Sequence, residues 1–151
     1  MGDLLIIGYG NTLRGDDAAG PRVAEAMAAR NLPGVRALPC PMLTPELADP
    51  ISGAGTVLFV DAAVDVPHKV RLRKLRPAKS AQIMAHAASP ATLLALARDV
   101  FGRAPEAWWL TIPAVGFDFG ADFSPETKQG IALALEKIEL LCRQPKATAE
   151  A

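Results

Sequence analysis

Apolar residues follow two rhythms along this chain. Short unbroken runs mark Leu4-Leu5-Ile6-Ile7 leading into Gly8, Thr56-Val57-Leu58-Phe59-Val60, and Trp108 to Ile112. Runs of that length suit strands buried on both faces of a parallel sheet. Val35–Leu38 supplies a further short strand. Val70–Leu75 interleaves its apolar positions with Arg71, Arg73 and Lys74. It reads as a half-solvated edge strand whose basic side chains discourage edge-to-edge pairing.

Between these runs the spacing turns helical. A first helix is expected to start near Asp17 or Gly20 and run to about Arg30, with Val23, Ala24 and Met27 inward and Pro33-Gly34 closing it. Thr44-Pro45-Glu46-Leu47 places an N-cap threonine before a proline at the first helical position, predicting a brief helix that ends near Pro50. Ser89-Pro90 repeats the signature ahead of Ala91–Phe101, with Leu93, Leu94, Ala97 and Phe101 inward. Ser124-Pro125-Glu126 opens a last helix to about Cys142, with Ile131, Leu135, Ile138 and Leu141 on one face. The tail beyond Gln144 is expected to fray.

This order of elements predicts an α/β fold, a three-layer α/β/α sandwich around a mostly parallel twisted sheet with one antiparallel or edge strand. With 151 residues and no repeat or linker, the chain is expected to form one domain with its core over about residues 4–142. Reactive groups in such a fold belong beyond the carboxyl ends of the parallel strands.

Charge narrows the function classes. Sixteen basic residues balance sixteen acidic ones. That leaves no positive field for non-specific nucleic-acid binding. No apolar run is long enough to span a membrane, and the opening Met-Gly-Asp-Leu lacks the pattern of a secretion signal. A cytoplasmic monomer is expected. Cys40 and Cys142 form neither a disulfide framework nor a close-spaced metal motif.

The first strand runs into Gly8-Tyr9-Gly10-Asn11 and then Arg14-Gly15-Asp16-Asp17-Ala18-Ala19-Gly20. Glycines at a strand end permit a tight turn. A dinucleotide fingerprint would need a third glycine at position 13, which is leucine. Any phosphate there would also face Asp16 and Asp17 with no lysine in the loop. The alternatives are a cation site or a polar reaction site. Capping of the helix start accounts for one aspartate more readily than for two. Asp61, closing the most hydrophobic strand, is a second candidate. Asp65 is a weaker one. His86 stands three residues before the Ser89 helix, and His68 lies in an exposed turn. Asp17, Asp61 and His86 border strand ends on one rim. Such a set of two carboxylates and an imidazole suits nickel, zinc or iron with open coordination positions, or a general base with its orienting partners. Asp16 and Asn11 are expected to shape the loop, supported by Gly8 and Gly10. Trp108-Trp109 is read as core packing for at least one of the pair.

The run Ile7-Gly8-Tyr9-Gly10-Asn11-Thr12-Leu13-Arg14-Gly15-Asp16-Asp17-Ala18-Ala19-Gly20 resembles the opening of the nickel–iron hydrogenase maturation proteases. The resemblance continues at Phe59-Val60-Asp61-Ala62 and at His86 ahead of the Leu93–Ala97 helix. Thr44-Pro45-Glu46-Leu47 and Gly116-Phe117-Asp118-Phe119-Gly120 are similar to a subgroup whose substrates are often cytoplasmic, nicotinamide-linked hydrogenases. It implies an endopeptidase that removes the C-terminal extension of a hydrogenase large-subunit precursor once nickel is in place. It further implies that the nickel arrives with the precursor, that no organic cofactor is held, and that Asp17, Asp61 and His86 contact the metal. The chain departs from the family's pattern in having aspartate at position 17, where glutamate is common, and Ala87-Ala88 after the histidine. A precursor-binding chaperone that does not cut, or a nucleotide-binding α/β protein, are the alternative readings.

Overall fold

The computed structural model describes residues 3–64, 69–79 and 88–143. Among the described residues, five strands form one sheet: β1 (Leu4–Tyr9), β2 (Val35–Cys40), β3 (Thr56–Ala63), β4 (Arg71–Leu75) and β5 (Glu106–Pro113), in the spatial order β2-β1-β3-β5-β4. All neighbours run parallel except β4, which is antiparallel to β5 at the edge. The helices α1 (Ala19–Ala29), α2 (Ala48–Gly53), α3 (Pro90–Phe101) and α4 (Pro125–Arg143) cover both faces. The result is the expected α/β/α sandwich.

The alternation of side chains divides the core in two. Leu5, Ile7, Val57, Phe59 and Ala107 face α2 and α3, meeting Ile51, Leu93, Leu94 and Ala97. Ile6, Leu58, Val60, Leu110 and Ile112 face α1 and α4, meeting Val23, Met27, Ala134 and Ile138. Because both faces are covered, the strands read as continuous apolar runs. The chain leaves β1 for β2 on one side, then crosses back so that β3 lies on β1's other side. The carboxyl ends of β1 and β3 are therefore the topological switch point, where this class of fold opens a crevice.

Several sequence expectations shift by a turn. β3 does not stop at Asp61. It continues to Ala63, because Asp61, Ala62 and Ala63 stay in register with Thr111, Ile112 and Pro113. Thr44 is extended and makes no side-chain cap; a 3-10 turn over Pro45–Leu47 leads into α2. Pro50 does not end that helix. It occupies the first turn, where an N–H has no intrahelical acceptor, so its loss costs nothing. Ser89 does cap α3: its hydroxyl accepts the Thr92 N–H at 3.2 Å and its own N–H donates to the Thr92 hydroxyl at 2.9 Å. Phe101 is exposed rather than inward, being the last residue of α3 before Gly102 turns the chain at φ +83°. Leu141 is likewise exposed, and Cys142 takes the place on α4 that packs against the core. The Trp108 and Trp109 rings pack against opposite cores.

Candidate functional site

Two glycines set the geometry at the switch point. A Cβ on Gly8 would run into the Gly20 carbonyl oxygen, and one on Gly10 into that of Asp17. Their absence lets the start of α1 press onto the ends of β1 and β3. Gly10 also holds φ +150°, which side chains rarely adopt. The chain then passes through a 3-10 turn, Gly15–Ala18, that carries both aspartates. Neither caps α1, whose N-cap is Ala18 with no side-chain bond.

The two aspartates have diverged completely. Asp16 is fully buried. Its carboxylate accepts the N–H groups of Val115 (2.9 Å), Gly116 (3.0 Å) and Ser124 (2.8 Å), and the Ser124 hydroxyl at 2.7 Å. Burial alone would raise its pKa, but these four bonds outweigh it and hold the group at about 2. Asp16 is thus a permanent anion that straps the loop after β5 to the loop after β1. The Ser124 hydroxyl also caps α4 by accepting the Thr127 N–H at 3.2 Å. Asp17 is half-buried and turns the other way, accepting the Asn11 N–H at 2.8 Å. Asn11 shapes the loop as expected, its side-chain carbonyl accepting the Leu13 N–H at 2.9 Å.

Asp61 stands on the neighbouring strand. Gly8 is in register with Val60, so Tyr9 lies beside Asp61. Burial pushes the Asp61 carboxyl up. The Tyr9 hydroxyl and the Ala62 N–H pull it back, the charge on Asp17 raises it again, and it settles at about 6. Burial first, then the Asp61 charge, drives the Tyr9 hydroxyl well above its ordinary range, so Tyr9 stays a neutral donor. On the same face of the sheet the Arg73 guanidinium lies 5.6 Å from the centre of the Trp109 ring. A carboxyl at about 6 can exchange its proton near neutral pH. Equally, a cation bound there would offset the burial cost that chiefly raises it and the smaller repulsion from Asp17.

Sequence reasoning named Asp17 and Asp61, which are electrostatically coupled here. His86, His68 and Asp65 lie outside the described residues. Among the described residues, no three His, Cys, Asp or Glu side chains gather as a metal cluster. Tyr9 was missed as a site residue. Its signal was the strand register rather than the motif, together with its being the chain's single tyrosine. Ser124 stands at the opening of the last helix as the sequence predicts, and its bond to Asp16 spans 108 residues.

The loop is poorly built for phosphate. Amides that might cradle an anion are already donated internally: Gly10 to the Cys40 carbonyl at 3.1 Å, Asn11 to Asp17, Leu13 to Asn11, and Asp16 to the Gly116 carbonyl at 2.8 Å. A phosphate would have to displace these bonds and face two carboxylates.

No family model matches the chain, and no curated protein matches its sequence. Solved structures match its shape. The hydrogenase maturating endopeptidase HybD from E. coli superposes with a TM-score of 0.73 at 23% identity, covering 93% of this chain and 92% of that one. The [NiFe] hydrogenase maturation protease HycI from Thermococcus kodakarensis KOD1 gives 0.74 at 21% identity, over 94% and 93%. A hydrogenase 2 maturation peptidase from a Thaumarchaeota archaeon gives 0.69 at 23%, over 94% and 99%. This chain has their fold. At such identities the likeness carries the architecture, and the chemistry must be argued from the side chains at the switch point. Among the described residues, no helix is long and apolar enough to cross a membrane.

Proposed function

We propose that this chain is an endopeptidase that recognises nickel in a hydrogenase large-subunit precursor and removes the precursor's C-terminal extension. The observation that carries this reading is the Asp61 carboxyl, raised to about 6 at the switch point with Asp17's charge beside it. It is supported by a fold shared over almost the whole chain with hydrogenase maturation proteases.

In this reading the nickel is part of the substrate. Asp17, Asp61 and His86 fill its open positions, with oxygen and nitrogen donors suited to that ion. Only a loaded precursor gains that binding energy, which seats the scissile peptide in the crevice. Hydrolysis adds a water oxygen to the peptide carbonyl carbon and breaks the carbon–nitrogen bond, the water's protons ending on the leaving amine and the new carboxyl. In this reading Asp61 serves either as a nickel ligand or, left free of the metal, as the base that takes the water's proton, and the Tyr9 hydroxyl hydrogen-bonds its carboxylate. Asp16 keeps the loop carrying Asp17 in place and takes no part in proton transfer.

The test is intact-mass analysis of nickel-loaded precursor incubated with the wild-type chain and with Asp61→Asn. The wild type should release one defined C-terminal peptide and D61N none, with its fold unchanged. Processing by a folded D61N protein at the wild-type rate removes Asp61 from the mechanism. Tight binding with no change in precursor mass makes the chain a precursor-binding chaperone.

A further inference from the structure

Tyr9 and Trp109 flank β3 on the sheet face that packs against α2 and α3. Trp109 is directly opposite Phe59, and Tyr9 follows the Gly8–Val60 pair and so lies beside Asp61. Adjacent strands are about 4.8 Å apart, so two long aromatic side chains leaning over β3 can approach each other above it. Burial and the charge on Asp61 push the Tyr9 hydroxyl's pKa up, and the Trp109 indole pulls it down. A donor beside a phenol oxygen has that effect.

The indole N–H is buried and, among the described residues, has no acceptor at hydrogen-bond distance. Nearly all buried donors in a folded protein are paired, and one that is not calls for a reason. Phenylalanine would fill much of the same space without leaving such a donor. The ring itself is held in place. Arg73 lies directly opposite on β4, its guanidinium 5.6 Å from the ring centre, and Phe59 lies opposite on β3.

Chemistry fixes the direction of a chain through these groups. An indole nitrogen only donates, an ionised carboxylate only accepts, and a hydroxyl does both. Tyr9 gives its proton to Asp61. Its oxygen is left to accept, and the unpaired donor beside it is Trp109.

We propose that Trp109 is a positioning residue for the peptide cleavage: its N–H closes onto the Tyr9 oxygen when the loaded precursor binds, fixing the hydroxyl that holds Asp61. The inference rests on the proposed endopeptidase function and deepens it. Hydrogen bonds of a catalytic site are commonly long in the free enzyme and tighten with substrate in place. A fixed hydroxyl keeps the Asp61 carboxylate in one orientation, whether it grips the nickel or takes the water's proton. Trp109 acts only through Tyr9.

The experiment is a double-mutant cycle: Trp109→Phe and Tyr9→Phe, singly and together, read as kcat/KM on full-length nickel-loaded precursor. Each single variant should lose about tenfold or more, the scale of a misplaced group at a reacting centre. The double variant should fall less than about twofold below Y9F alone, because Trp109 then has nothing to act on. A merely structural role gives independent losses that multiply. Trp108→Phe removes the chain's other indole, from the opposite core, and should leave kcat/KM unchanged. The second readout is the pair of indole N–H signals in a nitrogen–proton NMR spectrum of the free chain, assigned by Trp108→Phe. Y9F should move the Trp109 signal and leave that of Trp108 in place, which decides the contact even where W109F does not fold. W109F at the wild-type kcat/KM, losses that multiply, or a Trp109 signal unmoved by Y9F overturns the proposal and leaves the endopeptidase function standing. A wild-type chain that cuts no loaded precursor removes that function and the proposal with it.

Discussion

Replacing Asp61 with asparagine should make the protein more stable above neutral pH. The folded chain holds this carboxyl at about 6, against an ordinary value of 3.8. A raised carboxyl binds its proton more tightly in the folded state than in the unfolded one. The group's favourable contribution is therefore complete below about pH 3.8 and is lost as the pH rises through about 6. A shift of roughly two units, at ~1.4 kcal/mol per unit, sets a ceiling of about 3 kcal/mol on what ionised Asp61 costs at pH 8. Asp61 is half-buried, and solvent screening takes a share, so about 1–2 kcal/mol is expected. Asparagine mimics the neutral acid in size, and its carbonyl can still accept from Tyr9 and Ala62. Urea unfolding of the two proteins at pH 4 and pH 8 measures the effect. The gain from D61N should be about 1–2 kcal/mol larger at pH 8 than at pH 4, or several degrees in thermal midpoint. A difference that does not change with pH, or a variant less stable than wild type at pH 8, refutes the claim that Asp61 is held against its charge.

Asp16 should behave in the opposite sense. Its depressed pKa of about 2 stabilises the fold fully above about pH 3.8 and is lost as the pH falls through 2. Asp16→Ala strands several buried donors and should cost about 3–5 kcal/mol at pH 7, read from urea midpoints; a loss below 1 kcal/mol contradicts the strap. Gly8→Ala drives a methyl group into the Gly20 carbonyl and should cost at least about 2 kcal/mol by the same measurement; a neutral result shows that α1 can back away from β1. His86→Ala should weaken binding of nickel-loaded precursor about tenfold or more in a titration and leave nickel-free precursor unaffected; equal losses for both would assign His86 to general surface recognition.

The layers of this fold were legible because continuous apolar runs mark strands covered on both faces, and cap-plus-proline signatures mark helix starts. Ser89 and Ser124 fulfilled that chemistry, whereas Thr44 had the right neighbours without the bond. Strand order was not legible. Nothing local in Arg71–Leu75 says that it pairs antiparallel to a strand some thirty residues later. The candidate site divided along the same line. Asp17 and Asp61 were readable as carboxylates close to the carboxyl ends of β1 and β3, although Asp17 lies in the 3-10 turn after β1 and β3 runs on to Ala63. Tyr9 was hidden within a glycine turn, and only the register of β1 against β3 sets it beside Asp61. The burial of Asp16 was equally hidden, since its donors lie 99 to 108 residues away. Phe101 and Leu141 show the limit of helical spacing: it gives a face but not where the sheet beneath that face ends.

The most direct test of the account sets nickel-loaded and nickel-free precursor side by side with the wild-type chain and follows intact mass over time. Loss of a single C-terminal peptide from the loaded precursor alone is the predicted result. Equal cleavage of both forms, or of neither, contradicts the claim that carboxylates at this crevice read the client's metal before cutting its chain.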